Sequence, residues 1–427
     1  LEVRDLNGKV IDKWTSDGTP HKIQNLVVGE TYVLVETKAP EGYAIATPIT
    51  FKVTDDATNQ EFNLINKQVF AYKYDVDGKV LEGAKLSVVD LEGNVLDSWV
   101  SGKEPHAVSN IVVGSTYKLH EDVSTDGYVI ASDVQFFVED DSKNQDIKMT
   151  DKQLFVSKVE IGQSEELEGA TLVVTDKVTG KELDKWVSGG TPHAVKGLEV
   201  NKTYLLTEVT APAGYVRAEV IEFTVADDFQ IQSVKMEDDY TKVDITKSDI
   251  TDGTPVIGAE LVIKDKDGNE VDRWVTEETP HHIDKLPIGD YTLTEITAPD
   301  GYVRAEVVNF TVKETGEIQK VDMKDDYTKV EITKSDITSG KPVKGATLVI
   351  KDKDGVEVDK WVTGKKPHYI EKLPVGDYTL EEITAPDGYV RAEAVKFTVK
   401  ETGEIQKVDM KDDYTKVEIS KKDMTTG

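Results

Sequence analysis

Short runs of alternating apolar and polar residues, bounded by turn-forming residues, cover the chain, and a period of two is that of a β-strand with one buried face. Between residues 240 and 326 the runs are Val243 to Lys247, Leu261 to Lys264, Val271 to Val275, Tyr291 to Glu295, Val307 to Val312 and Val321 to Asp325. Asp267-Gly268, Asp300-Gly301 and Thr315-Gly316 stand at the expected reversals, where glycine supplies the backbone angles of a tight turn. About seven strands at this spacing, with no amphipathic helical stretch, predict a β-sandwich.

The pattern repeats. Tryptophans at 14, 99, 186, 274 and 361 are 85, 87, 88 and 87 residues apart, and each precedes a Pro-His pair. A unit of that length can bury its own core, so the repeats are expected to be beads and not the short stacked units of a solenoid. The predicted fold class is all-β, a tandem array of about five Ig-like β-sandwich domains forming an elongated rod. The expected boundaries are 1–67 (first strand missing), 68–152, 153–239, 240–326 and 327–413, with 414–427 as the first strand of a sixth repeat. Residues 326–331, between the last strand of one unit and the first of the next, contain no Gly, Pro or Ser, which argues against a floppy hinge. The chain looks cut at both ends, so export and anchoring signals are expected outside it.

Three polar residues break the apolar pattern in the same places each time. Lys247 follows Val243 and Ile245 at alternate positions, Glu295 follows Tyr291 and Leu293, and Asp325 follows Val321 and Met323. Residues two apart on a strand face the same way, so all three are expected to point into the core, where isolated charges are strongly unfavourable. The set recurs as Lys73, Glu121 and Asp151, as Lys158, Glu208 and Asp238, and as Lys334, Glu382 and Asp412. In the first repeat Glu36 and Asn66 stand at the acid and acceptor positions without a lysine, and Lys421 follows Val417 and Ile419 without an acceptor.

Burial favours a neutral amine and a neutral acid, the pair that can condense to an amide. The lysine amine would attack the Asp or Asn side-chain carbonyl, with the Glu as general acid and base and folding supplying the proximity. Water would leave from Asp and ammonia from Asn. The competing reading is a buried ion pair hydrogen-bonded to Glu, with no bond made. An amide closing a loop of about 78 residues would stabilise a domain by roughly 4 to 5 kcal/mol in the chain-entropy treatment of crosslinks.

Composition narrows the partners. The 427 residues are 38% hydrophobic and 31% charged, and 51 basic against 81 acidic residues leave a formal charge of -30. That balance argues against nucleic acid and anionic membrane, which need a basic surface. With no cysteine, covalent reinforcement must come from other chemistry. No apolar run is long enough for a helical membrane span. Neither metal nor cofactor is expected: Asp265, Asp267, Asn269 and Glu270 fit a hairpin turn better than a calcium loop, and the repeated His lacks a second ligand in sequence. Glu and Asp pairs also occur in glycosidases, but a hydrolase would not need its site in every repeat.

The segments Tyr-Thr-Leu-Thr-Glu-Ile-Thr-Ala-Pro-Asp-Gly-Tyr at 291–302 and Tyr-Val-Leu-Val-Glu-Thr-Lys-Ala-Pro-Glu-Gly-Tyr at 32–43 resemble the E-box of CnaB-type domains, the prealbumin-like, SpaA-type modules of Gram-positive pilins and surface adhesins. Thr-Lys-Ser-Asp around Lys247 and Met-Lys-Asp around Asp325 resemble the lysine and acceptor strands of that family. The resemblance covers essentially the whole chain. It implies spontaneous intramolecular isopeptide bonds with Glu36, Glu121, Glu208, Glu295 and Glu382 as the catalytic residues, on a wall-anchored extracellular stalk. The second repeat departs from the motif, since Glu121 to Tyr128 lacks Ala-Pro.

The expected role is therefore mechanical: a cell-surface stalk or fibre, not an enzyme beyond its single internal turnover, whose partners are its own neighbouring domains and a host ligand met by a tip outside the chain. Two alternatives stand beside it. The repeats could bind host protein or glycan directly, through the Tyr-Val-Arg-Ala-Glu segment at 302–306 and 389–393, or the strand carrying Lys421 could complete the first repeat of another copy.

Overall fold

The computed structural model describes residues 1–56, 58–422 and 424, and the strands are its only extended regular elements. The chain divides into two compact units, Leu1–Pro212 with Arg217–Asp239, and Ala213–Val216 with Tyr240–Gly427.

In the second unit, the fourth repeat is a sandwich of two four-stranded sheets. The first sheet runs, in spatial order, His281–Asp284, Lys242–Asp249, Ile318–Tyr327 and Tyr302–Val303, and the other runs Glu270–Val275, Glu260–Asp265, Gly289–Thr297 and Val308–Val312. Each of the six runs read from the alternation lies in or overlaps an observed strand. The two that the pattern does not reveal, His281–Asp284 and Tyr302–Val303, are short edge pieces. Alternation works because one face of each sheet packs inward: Val243, Ile245, Leu261, Ile263, Leu293 and Met323 form the core. The fifth repeat packs a three-stranded sheet on a four-stranded one, around Ile332, Leu348, Leu380 and Met410.

In the first unit, the second and third repeats are sandwiches of the same kind, while the first forms one four-stranded sheet over a small core of Val3, Tyr32, Leu34 and Phe51. The strand expected around Lys421 is not present. Residues 415–422 carry no regular structure, and Val417 and Ile419 are exposed, because no strand among the described residues offers that segment a ladder.

The topology brings the two ends of each complete domain together. Lys242–Asp249 lies parallel to and directly beside Ile318–Tyr327, with Lys247 opposite Met323 and Asp249 opposite Asp325. Parallel pairing of the first and last strands is what sets Lys247 and Asp325 one step apart on the inward face.

Successive domains follow almost without a linker. Within the second unit, only Thr328 separates Ile318–Tyr327 from Lys329–Asp336. Thr328 is buried; its N–H donates to the Gly301 carbonyl at 3.0 Å and its hydroxyl to the Leu373 carbonyl at 2.6 Å. Gly301 has a φ of +85°, and a Cβ there would come within 2.7 Å of the Lys372 carbonyl carbon. Gly301→Ala is therefore expected to cost about 2 kcal/mol or more, from left-handed strain plus backbone displacement, and to loosen this junction. Calorimetry would read it as a lower transition temperature for the last two repeats, and an unchanged profile would contradict the packing role.

Candidate functional site

Each complete repeat brings its three expected residues together between the sheets. Lys73, Lys158, Lys247 and Lys334 each place Nζ against Oδ1 of Asp151, Asp238, Asp325 and Asp412 respectively. The Glu of the facing sheet completes each group, with Nζ to carboxylate distances of 2.9 Å for Glu121, 3.1 Å for Glu208, 2.9 Å for Glu295 and 3.3 Å for Glu382. All twelve side chains are buried.

A backbone N–H ten residues downstream orients each Glu. Ala131, Ala218, Ala305 and Ala392 donate to Oε2 at 2.8, 2.7, 2.6 and 2.6 Å. This donor was not legible from the strand pattern, because it comes from the irregular segment after the Gly-Tyr turn. With Oε2 so engaged, Oε1 of Glu208, Glu295 and Glu382 and Oδ2 of each Asp have no hydrogen-bonding donor among the described residues, whereas Glu121 Oε1 lies 2.9 Å from Lys73 Nζ. Two carboxyl oxygens in a dry pocket are satisfied only if one carries a proton.

The electrostatics agree. Burial pushes the Asp151 carboxyl up to about 8, against the pull of Lys73 and with repulsion from Glu121 adding to it. Burial likewise raises Asp238 and Asp325 to about 7, with Lys158 and Lys247 opposing and Glu208 and Glu295 adding. Asp412 is also raised, first by burial. An aspartic acid that keeps its proton near neutrality is an electrophile a lysine amine can attack.

The first repeat assembles only the acid and acceptor. Asn66 Nδ2 donates to both Glu36 oxygens at 3.0 and 2.9 Å, and the Ala46 N–H donates to Glu36 Oε2 at 2.8 Å. Lys421 is exposed, in a segment without regular structure.

A second constellation went unrecognised in the sequence. In every repeat the His of Pro-His stacks on the Trp, as for Trp274 and His281 with ring centroids 4.1 Å apart and planes 10° apart, and its Nε2 meets an Asp two residues before the Trp, 2.7 Å from Asp272 Oδ2. The Trp, Asp and His spacing recurs in all five repeats and was the available signal. Asp265, weighed above as part of a calcium loop, instead accepts the Asp267 and Asn269 N–H groups at 2.9 Å and holds the hairpin turn.

Five consecutive segments, residues 1–68, 67–153, 152–240, 241–327 and 328–414, match the family described as SpaA, prealbumin-like fold domain. Among solved structures the chain is similar to the Bacillus anthracis TIE protein at 26% identity, over 78% of this chain and 69% of that one, with a TM-score of 0.37. A streptococcal ancillary pilin is 15% identical over 61% of this chain and 98% of its own, with a TM-score of 0.28. The shaft pilin spaA from Lactobacillus rhamnosus GG is 15% identical over 42% of this chain and 99% of its own, with a TM-score of 0.24. No curated protein matches the chain.

Removing a lysine tests the electrostatics directly. Lys334→Met leaves Asp412 and Glu382 facing each other without a cation, a change expected to cost about 3–5 kcal/mol near neutrality. Asp412 already binds its proton more tightly folded than unfolded. The folded state of the variant therefore gains protons relative to the unfolded state, and its deficit should shrink as pH falls towards the ordinary carboxylate range and grow as pH rises. Thermal denaturation of both proteins from about pH 4 to about pH 8 reads this, and a deficit independent of pH would contradict it.

Proposed function

The chain belongs to the SpaA family of prealbumin-like fold domains, and from that premise we propose that it is a mechanical stalk segment of a pilus or surface adhesin on a Gram-positive cell, each complete domain being closed by its own Lys–Asp amide. The observation that carries this reading is the fourfold recurrence of one buried Lys, Glu and Asp group joining the first and last strands. An ion pair in one domain would be unremarkable as a packing solution. Four copies at the positions where the two ends of each domain meet favour a crosslink.

The reaction balances within the pocket. The ammonium passes one proton to the Asp carboxylate, the neutral amine attacks Cγ of the resulting acid, and the Glu polarises the carbonyl and relays a proton from the nitrogen to the departing oxygen. An Nζ–Cγ bond forms, a Cγ–O bond breaks and one water leaves. Asn66 beside Glu36 is the acceptor half of the same chemistry, with ammonia in place of water. Force applied to a domain's ends would then load the amide and not the ladder hydrogen bonds between parallel strands. No adhesive surface is required of the repeats themselves for this role.

Intact mass of the purified chain decides the matter. A deficit of one water for each of the four Lys–Asp pairs is expected, and Glu295→Ala should restore one of them. A mass equal to the plain sequence would reject the amides. For freshly folded chains, bond formation should slow as pH falls below about 7 for Asp238 and Asp325 and below about 8 for Asp151, because amine and acid then both hold protons and the amine cannot attack. Peptide mapping of quenched samples reads each site separately, and a rate that climbs as pH falls across this range would contradict attack by the neutral amine.

A further inference from the structure

The fourth and fifth repeats are nearly the same sequence, yet they differ sharply in the loop between Trp and His. Residues 277–279 are Glu-Glu-Thr, whereas the equivalent residues 364–366 are Gly-Lys-Lys. In the fifth repeat this loop borders a cavity of about 540 Å³ at the sandwich edge, lined by Lys365, Lys366, Lys407 and Lys411 and by Trp361 and His368. A space of that size lies within the range of small-ligand pockets, about 300–1,000 Å³.

Most carboxylates at this cavity are already occupied. Asp409 accepts the hydroxyls of Thr333 and Ser335 at 2.8 and 3.0 Å. Asp336 holds its own turn and the Tyr389 hydroxyl at 3.1 Å, and Glu331 accepts from Tyr369 at 2.7 Å and faces Lys407 at 3.4 Å. Among the described residues, no carboxylate pairs with Lys365, Lys366 or Lys411. In a chain of formal charge -30, three lysines without a carboxylate partner line this one concavity.

We propose that the cavity under the 363–367 loop of the fifth repeat binds an anionic polysaccharide, one whose sugars carry sulfate or carboxylate groups. The lysines act as rotatable point charges, suited to anionic groups spaced along a flexible chain. Trp361 and His368, stacked 4.1 Å apart, give a rigid, partly apolar wall against which the C–H face of a sugar ring can lie. The net negative charge of the chain does not forbid this, since charges beyond about 8 Å are largely screened at physiological ionic strength. The fourth repeat, with Glu277 and Glu278 at the same place, repels such a ligand. The inference is independent of amide formation.

The test is calorimetric titration of the full chain at physiological ionic strength. The titrants are a sulfated uronic-acid oligosaccharide, its desulfated counterpart, a neutral oligosaccharide and a linear polyphosphate. One saturable site for the sulfated sugar is expected, lost at about 1 M salt, with the desulfated sugar revealing whether carboxylates suffice. Transplanting the fourth-repeat loop, as G364E/K365E/K366T, should weaken binding at least about tenfold, and the reciprocal E277G/E278K/T279K change should raise the stoichiometry from one to two. Both loops come from the same scaffold, so folding is preserved, and K365Q/K366Q provides a second loss variant. Binding that survives the loop transplant, absence of binding by every anionic sugar, or equal affinity for polyphosphate would each overturn the proposal.

Discussion

The structure depends on how it disposes of charge inside a dry sandwich. Each complete domain buries a lysine and two carboxyls together in one group, and moving such ions out of water costs several kcal/mol apiece even after relaxation. The fold answers with contact: Lys247 Nζ lies against Asp325, Glu295 reaches the same nitrogen from the opposite sheet, and the Ala305 N–H fixes that Glu. What contact leaves unsatisfied, on Glu295 Oε1 and Asp325 Oδ2, a retained proton supplies. The burial that raises the aspartic acid is also what its proposed chemistry requires, so the costliest feature of the core and that chemistry share one arrangement.

That arrangement requires the two ends of the domain to be neighbours. A parallel pair of first and last strands is reached only after the whole chain has wound through both sheets, so the lysine and its acceptor, 78 residues apart in the fourth repeat, meet when the sandwich is complete. The Glu comes from the other sheet, beside Leu261 in the ladder. Assembly of the Lys, Glu and Asp group therefore reports that both sheets have packed. The single-residue connector at Thr328 extends this economy between domains, since the last strand of one bead passes directly into the first strand of the next.

The Asp, His and Trp cluster performs a different task. Asp272 and Trp274 lie on an edge strand of one sheet and His281 on an edge strand of the other, so the stacked rings and the carboxylate clasp the two sheets at their rim. The loop between Trp and His is thereby anchored at both ends while its middle is free to vary. Glu277 and Glu278 in one repeat and Lys365 and Lys366 in the next are such variation on a constant frame.

The sequence by itself determined the longer strands of the complete repeats, the repeat and the inward set of Lys, Glu and Asp, because a period of two writes the buried face of a strand directly into the order of residues. Val243, Ile245 and Lys247 are legible in this way without coordinates. Only the tertiary structure decided which strands became neighbours, that Ala305 would orient Glu295, and that His281 would lie on Trp274. Those contacts join residues on different sheets or in irregular segments, where no local period carries the information. The strand around Lys421 marks the same boundary from the other side: its pattern is as clear as that of residues 330–334, yet Val417 and Ile419 remain exposed, because a strand is made by its neighbours and not by its own alternation.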